Sequence, residues 1–215
     1  MRTRTRVVVY GVTSPEEADT CARAGVDGIG LFFNPASKRH VEPATAWDIA
    51  SLLPPLVSTI GVFENPRSEY FFEVEERCPT DFSQFHGNED EDMVRQCGPR
   101  LIKTVRVESG GQADAHAFAF KWADVDEVDA VLMTLGSGIA GPQAWAWLAE
   151  LRESLARPLL IGGGLTIDNV AEAVRTVRPW AVAVLGAVSP EGVTSGELLN
   201  AFVAGVAAGD RHAGR

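Results

Sequence analysis

Short apolar runs rich in valine and isoleucine recur along the chain and predict its strands. Within most of these runs, consecutive positions are apolar, which is typical of parallel strands that are covered on both faces. We therefore expect a parallel sheet with helices packed on it. Eight such runs occur: V-V-V-Y-G-V, G-I-G-L-F-F, S-T-I-G-V-F, F-S-Q-F-H-G, I-K-T-V-R-V, A-V-L-M-T-L, L-L-I-G-G-G and A-V-A-V-L-G.

The segments between these runs have helical spacing and recognisable helix starts. In the first segment, Ser14 can cap a helix, Pro15 occupies its first position and Gly25 ends it. Asn88 and Thr166 are predicted caps of two later helices. The segment 112–122 is the weakest helix prediction, because its apolar residues are too dense to define one face. The predicted helices after the first span residues 43–54, 68–78, 89–96, 112–122, 142–155, 167–177 and 195–208.

The alternation of eight strands with eight helices predicts a single (β/α)8 TIM barrel of the α/β class. An open, doubly wound sheet is the alternative architecture. No linker or low-complexity segment marks a boundary, so we expect one domain over residues 1–215. Only residues 208–215 have the composition of a frayed terminus.

The composition argues against nucleic acid and membranes as binding partners. The chain of 215 residues has a formal net charge of −10, whereas nucleic acid and anionic membranes require a clustered positive face. No stretch approaches the roughly 18 consecutive apolar residues of a membrane span, and the basic start M-R-T-R-T-R is followed by no signal-like core. We therefore expect a cytoplasmic protein that binds a small molecule, without nucleic acid or membrane.

The cysteine and histidine patterns predict neither disulfides nor metal ligands. Cys21, Cys78 and Cys97 are odd in number and far apart, and are predicted to be buried or half-buried. The four histidines do not pair at ligand spacing. We expect no metal and no cofactor.

In a barrel of this type, functional residues lie where the strands end and in the loops that follow. This rule selects Tyr10, Glu64 and Asn65, Arg106, and the segments 34–40, 84–89, 134–141, 162–164 and 185–189.

Several of these segments occur in the order and at the spacing of one enzyme family. They are G-V-T-S-P-E-E-A, N-P-A-S-K-R-H-V, S-T-I-G-V-F-E-N, Q-F-H-G-N-E, L-I-K-T-V-R-V and I-G-G-G-L-T-I-D-N-V. Over nearly its whole length, the chain resembles phosphoribosylanthranilate isomerase of tryptophan biosynthesis. The resemblance implies a TIM barrel that isomerises an aminoaldose ribosyl phosphate to the aminoketose by general acid and base catalysis.

Both catalytic groups of that family are replaced. The family's base is a cysteine in K-I-C-G, matched here by Tyr10, and its acid is an aspartate in L-L-D, matched by Thr134. A phenol with a reference pKa of about 10 is less ionised near neutrality than a thiol at about 8.5 and is therefore harder to activate as a base, and threonine does not titrate usefully. Tyr10 is thus either a proton-transfer group or a filler, and Thr134 is either a hydrogen-bonding or a structural residue.

The resemblance also implies a phosphate site and a carboxylate site. Gly162, Gly163 and Gly164 retain the phosphate loop after the seventh strand. The second part, D-V-S-S-G in the family, is A-V-L-G-A here and keeps only Gly186 as a candidate donor. Arg39 matches the arginine that faces the anthranilate carboxylate and has no evident partner in the sequence.

Four further strand-end residues have candidate roles. Gln84 and His86 match the family's Q-L-H-G motif, and we expect Gln84 to contact the substrate. His86 is either a proton-transfer group or a hydrogen-bonded structural residue. Glu64 is a candidate base or a rim residue, and Arg106 is a candidate substrate ligand.

These observations leave three hypotheses. The first is a diverged enzyme that acts by acid and base chemistry on a different small molecule, an aromatic carboxylate or its sugar adduct, with catalytic groups among Tyr10, His86, Glu64 and Thr134. The second is a non-catalytic ligand-binding or partner protein on the same barrel. The third is an ordinary isomerase of the family with substitute catalytic groups. The chain is expected to be a monomer or a homodimer.

Overall fold

The computed structural model describes residues 4–212 and forms a closed barrel of parallel strands in the order β1 to β8, with β8 pairing β1. The strands are β1 (Arg6–Tyr10), β2 (Gly28–Phe32), β3 (Ser58–Phe63), β4 (Phe82–Phe85), β5 (Leu101–Val107), β6 (Val128–Leu135), β7 (Leu159–Gly162) and β8 (Ala181–Val184). The helices are α1 (Pro15–Arg23), α2 (Pro43–Ser51), α3 (Ser68–Arg77), α4 (Glu91–Gln96), α5 (Gln112–Ala123), α6 (Pro142–Ser154), α7 (Val170–Val177) and α8 (Gly196–His212).

The predicted TIM barrel is confirmed, and the alternative of an open sheet is wrong because the β1–β8 pair closes the sheet. The prediction of one domain over residues 1–215 extends beyond the described residues and stays a prediction. Among the described residues, no helix has the length and apolar character needed to cross a membrane.

Two apolar layers explain why the strands have no polar face. One buried cluster joins the outer side of the strands to the helices and includes Phe33, Phe85 and Trp145. A second cluster consists of strand residues and fills the barrel interior; its buried members are Val8, Tyr10, Ile60, Val62, Ile102, Ala130, Leu132, Leu160, Ala181 and Ala183. Consecutive residues of one strand therefore enter different cores, which is why most of the runs are apolar at successive positions.

The start of α1 is built as its sequence predicts. The Ser14 side chain accepts a hydrogen bond from the Glu17 N–H, and Pro15 lies in the first turn. Gly25 follows the helix with φ +76°, a left-handed conformation that glycine takes without steric cost. These features bring the chain back toward β2.

Three other boundaries differ from the prediction. Helix α4 is capped by the Asp90 carboxylate, so the predicted cap at Asn88 is wrong. Thr166 accepts from the Asn169 N–H, and this short turn delays the start of α7 to Val170. Helix α8 continues through 208–212, so fraying there is not observed, and residues 213–215 lie outside the described part of the chain.

The weak prediction for 112–122 is confirmed, because α5 covers that segment and continues to Ala123. Its buried residues include Ala115, Ala119 and Trp122, which face the barrel. Cys21 and Cys78 are buried and Cys97 is half-buried, as expected, and all three are free.

Candidate functional site

Tyr10 ends β1 and lies inside the barrel with only 6% of its surface exposed. Its hydroxyl donates a hydrogen bond to the Gln84 Oε1 of β4. Burial raises the pKa of the Tyr10 phenol well above its ordinary value, because the phenolate would lose its hydration. The hydroxyl is therefore a poor base near neutral pH.

The neighbouring strand is shaped to receive this ring. Gly30 of β2 pairs with Tyr10, and a Cβ atom at Gly30 would lie only 2.3 Å from the ring carbon Cδ1. The ring centroid of Phe32 lies 6.3 Å from that of Tyr10. Tyr10 thus occupies space that only a glycine at position 30 leaves open.

The amide of Gln84 extends the hydrogen bonding across the interior. Gln84 is 1% exposed, and its Nε2 donates to the Thr104 Oγ1 of β5 at 3.0 Å. Both ends of the amide are thereby satisfied inside an apolar cluster, as buried polar groups require. The hydrogen bonds of Tyr10, Gln84 and Thr104 thus link β1, β4 and β5 across the barrel interior, below the strand ends.

Arg39 is held by protein groups on the opposite side of the mouth. Its Nη1 lies 3.4 Å from the Glu17 Oε1 of α1 and donates to the Gly192 carbonyl. Both partners come from other elements of the barrel, so no local sequence pattern indicated them. Its Nη2 is buried and has no hydrogen-bond partner among the described residues.

Glu17, the partner of Arg39, also links the loop after β1 to the loop after β8 by hydrogen bonds. It accepts from the Thr13 N–H at 2.8 Å and from the Thr194 N–H at 2.7 Å. Burial alone would raise the pKa of Glu17, but the hydrogen bonds from Thr13 and Thr194 and the charge of Arg39 outweigh it and lower the pKa. Sequence reasoning missed Glu17 because its position on α1 is that of a capping-box glutamate.

A polar rim lies at the ends of β3, β4 and β5. The Glu64 carboxylate accepts from the Asn34 Nδ2 at 2.8 Å and from the Arg106 Nη2 at 3.1 Å. His86 follows β4, and its pKa is lowered by burial and by the charge of Arg106. Its Nδ1 is buried without a hydrogen-bond partner in the described part of the chain. This rim combines a carboxylate, a cation and a neutral imidazole.

Thr134 lies near the end of β6, where its neighbours in register are Arg106 of β5 and Gly162 of β7. The residue is half-buried. Its hydroxyl can orient a ligand by hydrogen bonding but offers no titrating proton near neutral pH.

The glycine loop after β7 requires glycine for two reasons. Gly163 and Gly164 have φ values of +73° and +65°, and a Cβ atom at Gly163 would lie 2.2 Å from the Leu135 carbonyl oxygen. Gly162 ends β7 against Ala183, whereas a Cβ at Gly186 would meet open space. The first loop is therefore tightly built, and the second is open.

A buried ion pair lies beside the polar rim and stabilises the loops there. It was not predicted from the sequence. The Lys103 Nζ lies 3.0 Å from the Glu89 Oε2 and also donates to the Gly87 carbonyl at 2.8 Å. Glu89 accepts in turn from the Asn65 N–H. Desolvation lowers the pKa of Lys103 against the opposing effect of Glu89. A lysine at the third position of the segment L-I-K-T-V-R-V was the signal that could have found this pair.

The structure therefore divides the predicted site residues into groups. Tyr10 and Gln84 contact each other in the interior, and Glu64 contacts Arg106 on the rim beside His86. Arg39 lies with α1 and the loop after β8, next to Gly11. Their roles toward a ligand stay predictions, as do those of Thr134 and the glycines.

Comparison with known proteins agrees with this barrel over almost the whole chain. Residues 7–205 match the family model described as N-(5'-phosphoribosyl)anthranilate (PRA) isomerase. A protein of that name from Hahella chejuensis is 38% identical over 203 residues, which cover 93% of each chain. Another from Nitrosococcus oceani is 36% identical and covers 94% of this chain and 98% of its own.

Solved structures give the same result. Phosphoribosyl anthranilate isomerase from Thermus thermophilus is 30% identical with a TM-score of 0.80, covering 95% of this chain and 99% of its own. The structure of such an isomerase with reduced 1-(o-carboxyphenylamino)-1-deoxyribulose 5-phosphate is 28% identical with a TM-score of 0.80, covering 94% and 98%.

Proposed function

Because the chain belongs to the N-(5'-phosphoribosyl)anthranilate isomerase family, we propose that it isomerises an aminoaldose phosphate of the kind that its relatives' name describes. The observation that carries this proposal is the match along nearly the full length of both chains. The third sequence hypothesis, an isomerase with substitute catalytic groups, is thus preferred over a changed substrate.

Conversion of an aminoaldose to an aminoketose transfers hydrogen from C2 to C1 of the sugar. An acid protonates the ring oxygen as the ring opens, and a base then removes the C2 proton. Two proton-transfer groups at the mouth of the barrel are therefore required.

We assign these roles to the rim instead of the interior. Tyr10 has a raised pKa and its hydroxyl already donates to Gln84, while Thr134 does not titrate usefully. The His86 imidazole is half-buried at the rim and its pKa is lowered by burial and by the charge of Arg106, which makes it a candidate base. Glu64, whose carboxylate lies 3.1 Å from the Arg106 Nη2, is the alternative base, so the rim assignment covers removal of the C2 proton.

The remaining predicted ligands complete the proposal. Main-chain N–H groups of Gly162, Gly163, Gly164 and Gly186 would hold the phosphate, and the Arg39 guanidinium would face a carboxylate. Arg106 would bind substrate from the rim. Gln84 lies beneath the ligand and acts on it through Tyr10.

A second function is favoured by one observation, the Tyr10 ring that fills the interior beside Gly30. A cleft altered in this way could hold a different aromatic carboxylate or its sugar adduct, either as a substrate or as a ligand without catalysis. Loss of both family acid and base groups would then reflect a changed task.

The assay follows the loss of substrate fluorescence at high enzyme concentration. Wild type, His86→Asn, Glu64→Gln and the double variant Tyr10→Cys/Thr134→Asp are compared. Turnover by wild type that falls about 10²-fold or more in His86→Asn supports the rim assignment. Turnover only in the double variant would mean that the cleft holds the substrate but that the native protein does not isomerise it.

The oligomeric state and location belong to this proposal as well. A solved relative from Thermotoga maritima is described as dimeric, and we propose a monomer or homodimer acting in the cytoplasm on a small molecule. Size-exclusion chromatography with light scattering tests the former.

A further inference from the structure

Glu17 lies where a capping box would place it, but its side chain does more than cap a helix. It is the third residue after the N-cap Ser14, and a glutamate there ordinarily accepts from the N–H of the cap itself. The Glu17 Oε2 instead accepts from the N–H and the hydroxyl of Thr13, at 2.8 and 2.7 Å. Its Oε1 accepts from the Thr194 N–H, far along the chain, at 2.7 Å. The carboxylate is only 5% exposed, so these donors hold it in one position.

Arg39 is the cation that faces this carboxylate. Its Nη1 lies 3.4 Å from the Glu17 Oε1 and donates to the Gly192 carbonyl. The Arg39 side chain is only 13% exposed, although it belongs to the loop after β2. The loop after β1 also approaches it closely, because a Cβ atom at Gly11 would lie 3.3 Å from the Arg39 Nε. The guanidinium is therefore surrounded by groups from α1, the loop after β1 and the loop after β8.

The charge of Glu17 is what selects this orientation. The hydrogen bonds from Thr13 and Thr194 and the charge of Arg39 lower the pKa of Glu17, so the carboxylate is ionised at neutral pH. A half-buried guanidinium needs such a counter-charge, since its desolvation is otherwise uncompensated. Without it, the Gly192 carbonyl would be the one acceptor of the Arg39 side chain among the residues that the structure describes.

We propose that Glu17 is a positioning residue, which holds the Arg39 guanidinium in the orientation that receives the carboxylate of the substrate. It acts on substrate binding through Arg39 and does not contact the substrate. The inference rests on the proposed function for the role of Arg39. It adds the group that sets the direction of that side chain, and it predicts that Glu17 changes affinity only while Arg39 is present.

A double-mutant cycle tests this dependence with N-(5'-phosphoribosyl)anthranilate as the probe. Stopped-flow fluorescence anisotropy gives the Kd of the probe before turnover, and the loss of its fluorescence gives kcat. Glu17→Gln should weaken binding about tenfold while kcat stays within about threefold. In the Arg39→Ala background, the same change should weaken binding less than about twofold.

Glu75→Gln is the matched control. The Glu75 carboxylate accepts from the Thr80 and Ser83 hydroxyls beside the start of β4, at the end of the barrel opposite to the site. The Tm of every variant is measured, and this control should keep the wild-type Kd even where its Tm falls. A weakened Kd in the control would mean that general loss of stability explains the effect, which overturns the inference.

Glu17→Asp keeps the charge and should weaken binding less than Glu17→Gln does. If Glu17→Gln does not fold, the cycle is run with Glu17→Asp, which should weaken binding about threefold with Arg39 present and not in Arg39→Ala. Unchanged binding in the Glu17 variants, or an equal loss with and without Arg39, would refute the positioning role. Wild type that binds the probe without converting it would count against the proposed function alone, whereas wild type that does not bind it would overturn both.

Discussion

Replacing Tyr10 by phenylalanine separates the two interpretations of this residue. The change keeps the ring that Gly30 accommodates and deletes the hydroxyl that donates to Gln84. Gln84 is 1% exposed, so its Oε1 would lose its partner where water does not reach. An unsatisfied buried acceptor costs about 1–3 kcal/mol. For a chain of this size, a loss of about 2 kcal/mol lowers Tm by roughly 4–8 °C.

Thermal unfolding and the isomerase assay are performed on the same samples. Tyr70→Phe is the matched control, because the Tyr70 hydroxyl donates to the Phe33 carbonyl from a half-exposed position, where water can replace it. We expect Tyr10→Phe to lower Tm more than Tyr70→Phe while turnover stays within about twofold of wild type. A fall in turnover of about 10²-fold would show that the Tyr10 hydroxyl transfers a proton, and an unchanged Tm would refute the buried hydrogen bond.

Three other perturbations test the energetics around the site. The pKa of His86 is lower in the folded than in the unfolded chain, so the unfolded chain binds the proton first and the free energy of unfolding should fall as pH drops below about 6.5. Urea unfolding at pH 8 and at pH 5 measures this fall, which should be smaller in His86→Asn than in wild type. Lys103→Met leaves the Glu89 carboxylate buried alone and should cost about 3–5 kcal/mol in urea unfolding, much of it recovered by adding Glu89→Gln. Gly163→Ala should destabilise more than Gly138→Ala, since both have φ near +75° but only the Gly163 Cβ would strike a carbonyl of β6; equal Tm losses would contradict this.

The sequence predicted the barrel because strand and helix signals alternate without interruption. Each strand is apolar on both faces, and the observed interior and outer clusters account for that pattern. Local chemistry also predicted the start of α1, where Ser14 and Pro15 act within one turn. Asn88 and Asp90 both precede α4 and are both possible N-caps. Asp90 caps the helix because its carboxylate accepts from the Met93 N–H.

The strand-end rule predicted where the site lies but not which side chains pair there. Tyr10 and Gln84 are 74 positions apart, and Arg39 and Glu17 are 22 apart. No local pattern encodes such contacts, since they depend on register and on the space that neighbouring residues leave. Gly30 illustrates this, because position 30 must be glycine only to leave room for the ring of Tyr10 on the neighbouring strand.

Compared with a cysteine at the same position, Tyr10 changes two properties of the barrel mouth. It removes a group that could titrate near neutrality, and its ring takes up volume inside the barrel where Gly30 and Gln84 are fitted to it. A residue that is satisfied and packed in this way belongs to the structural core, so proton transfer has to come from groups that remain accessible. Glu64 meets that condition, since its side chain is 37% exposed, and the half-buried His86 lies beside it. Proton transfer would then be centred on the ends of β3 to β5.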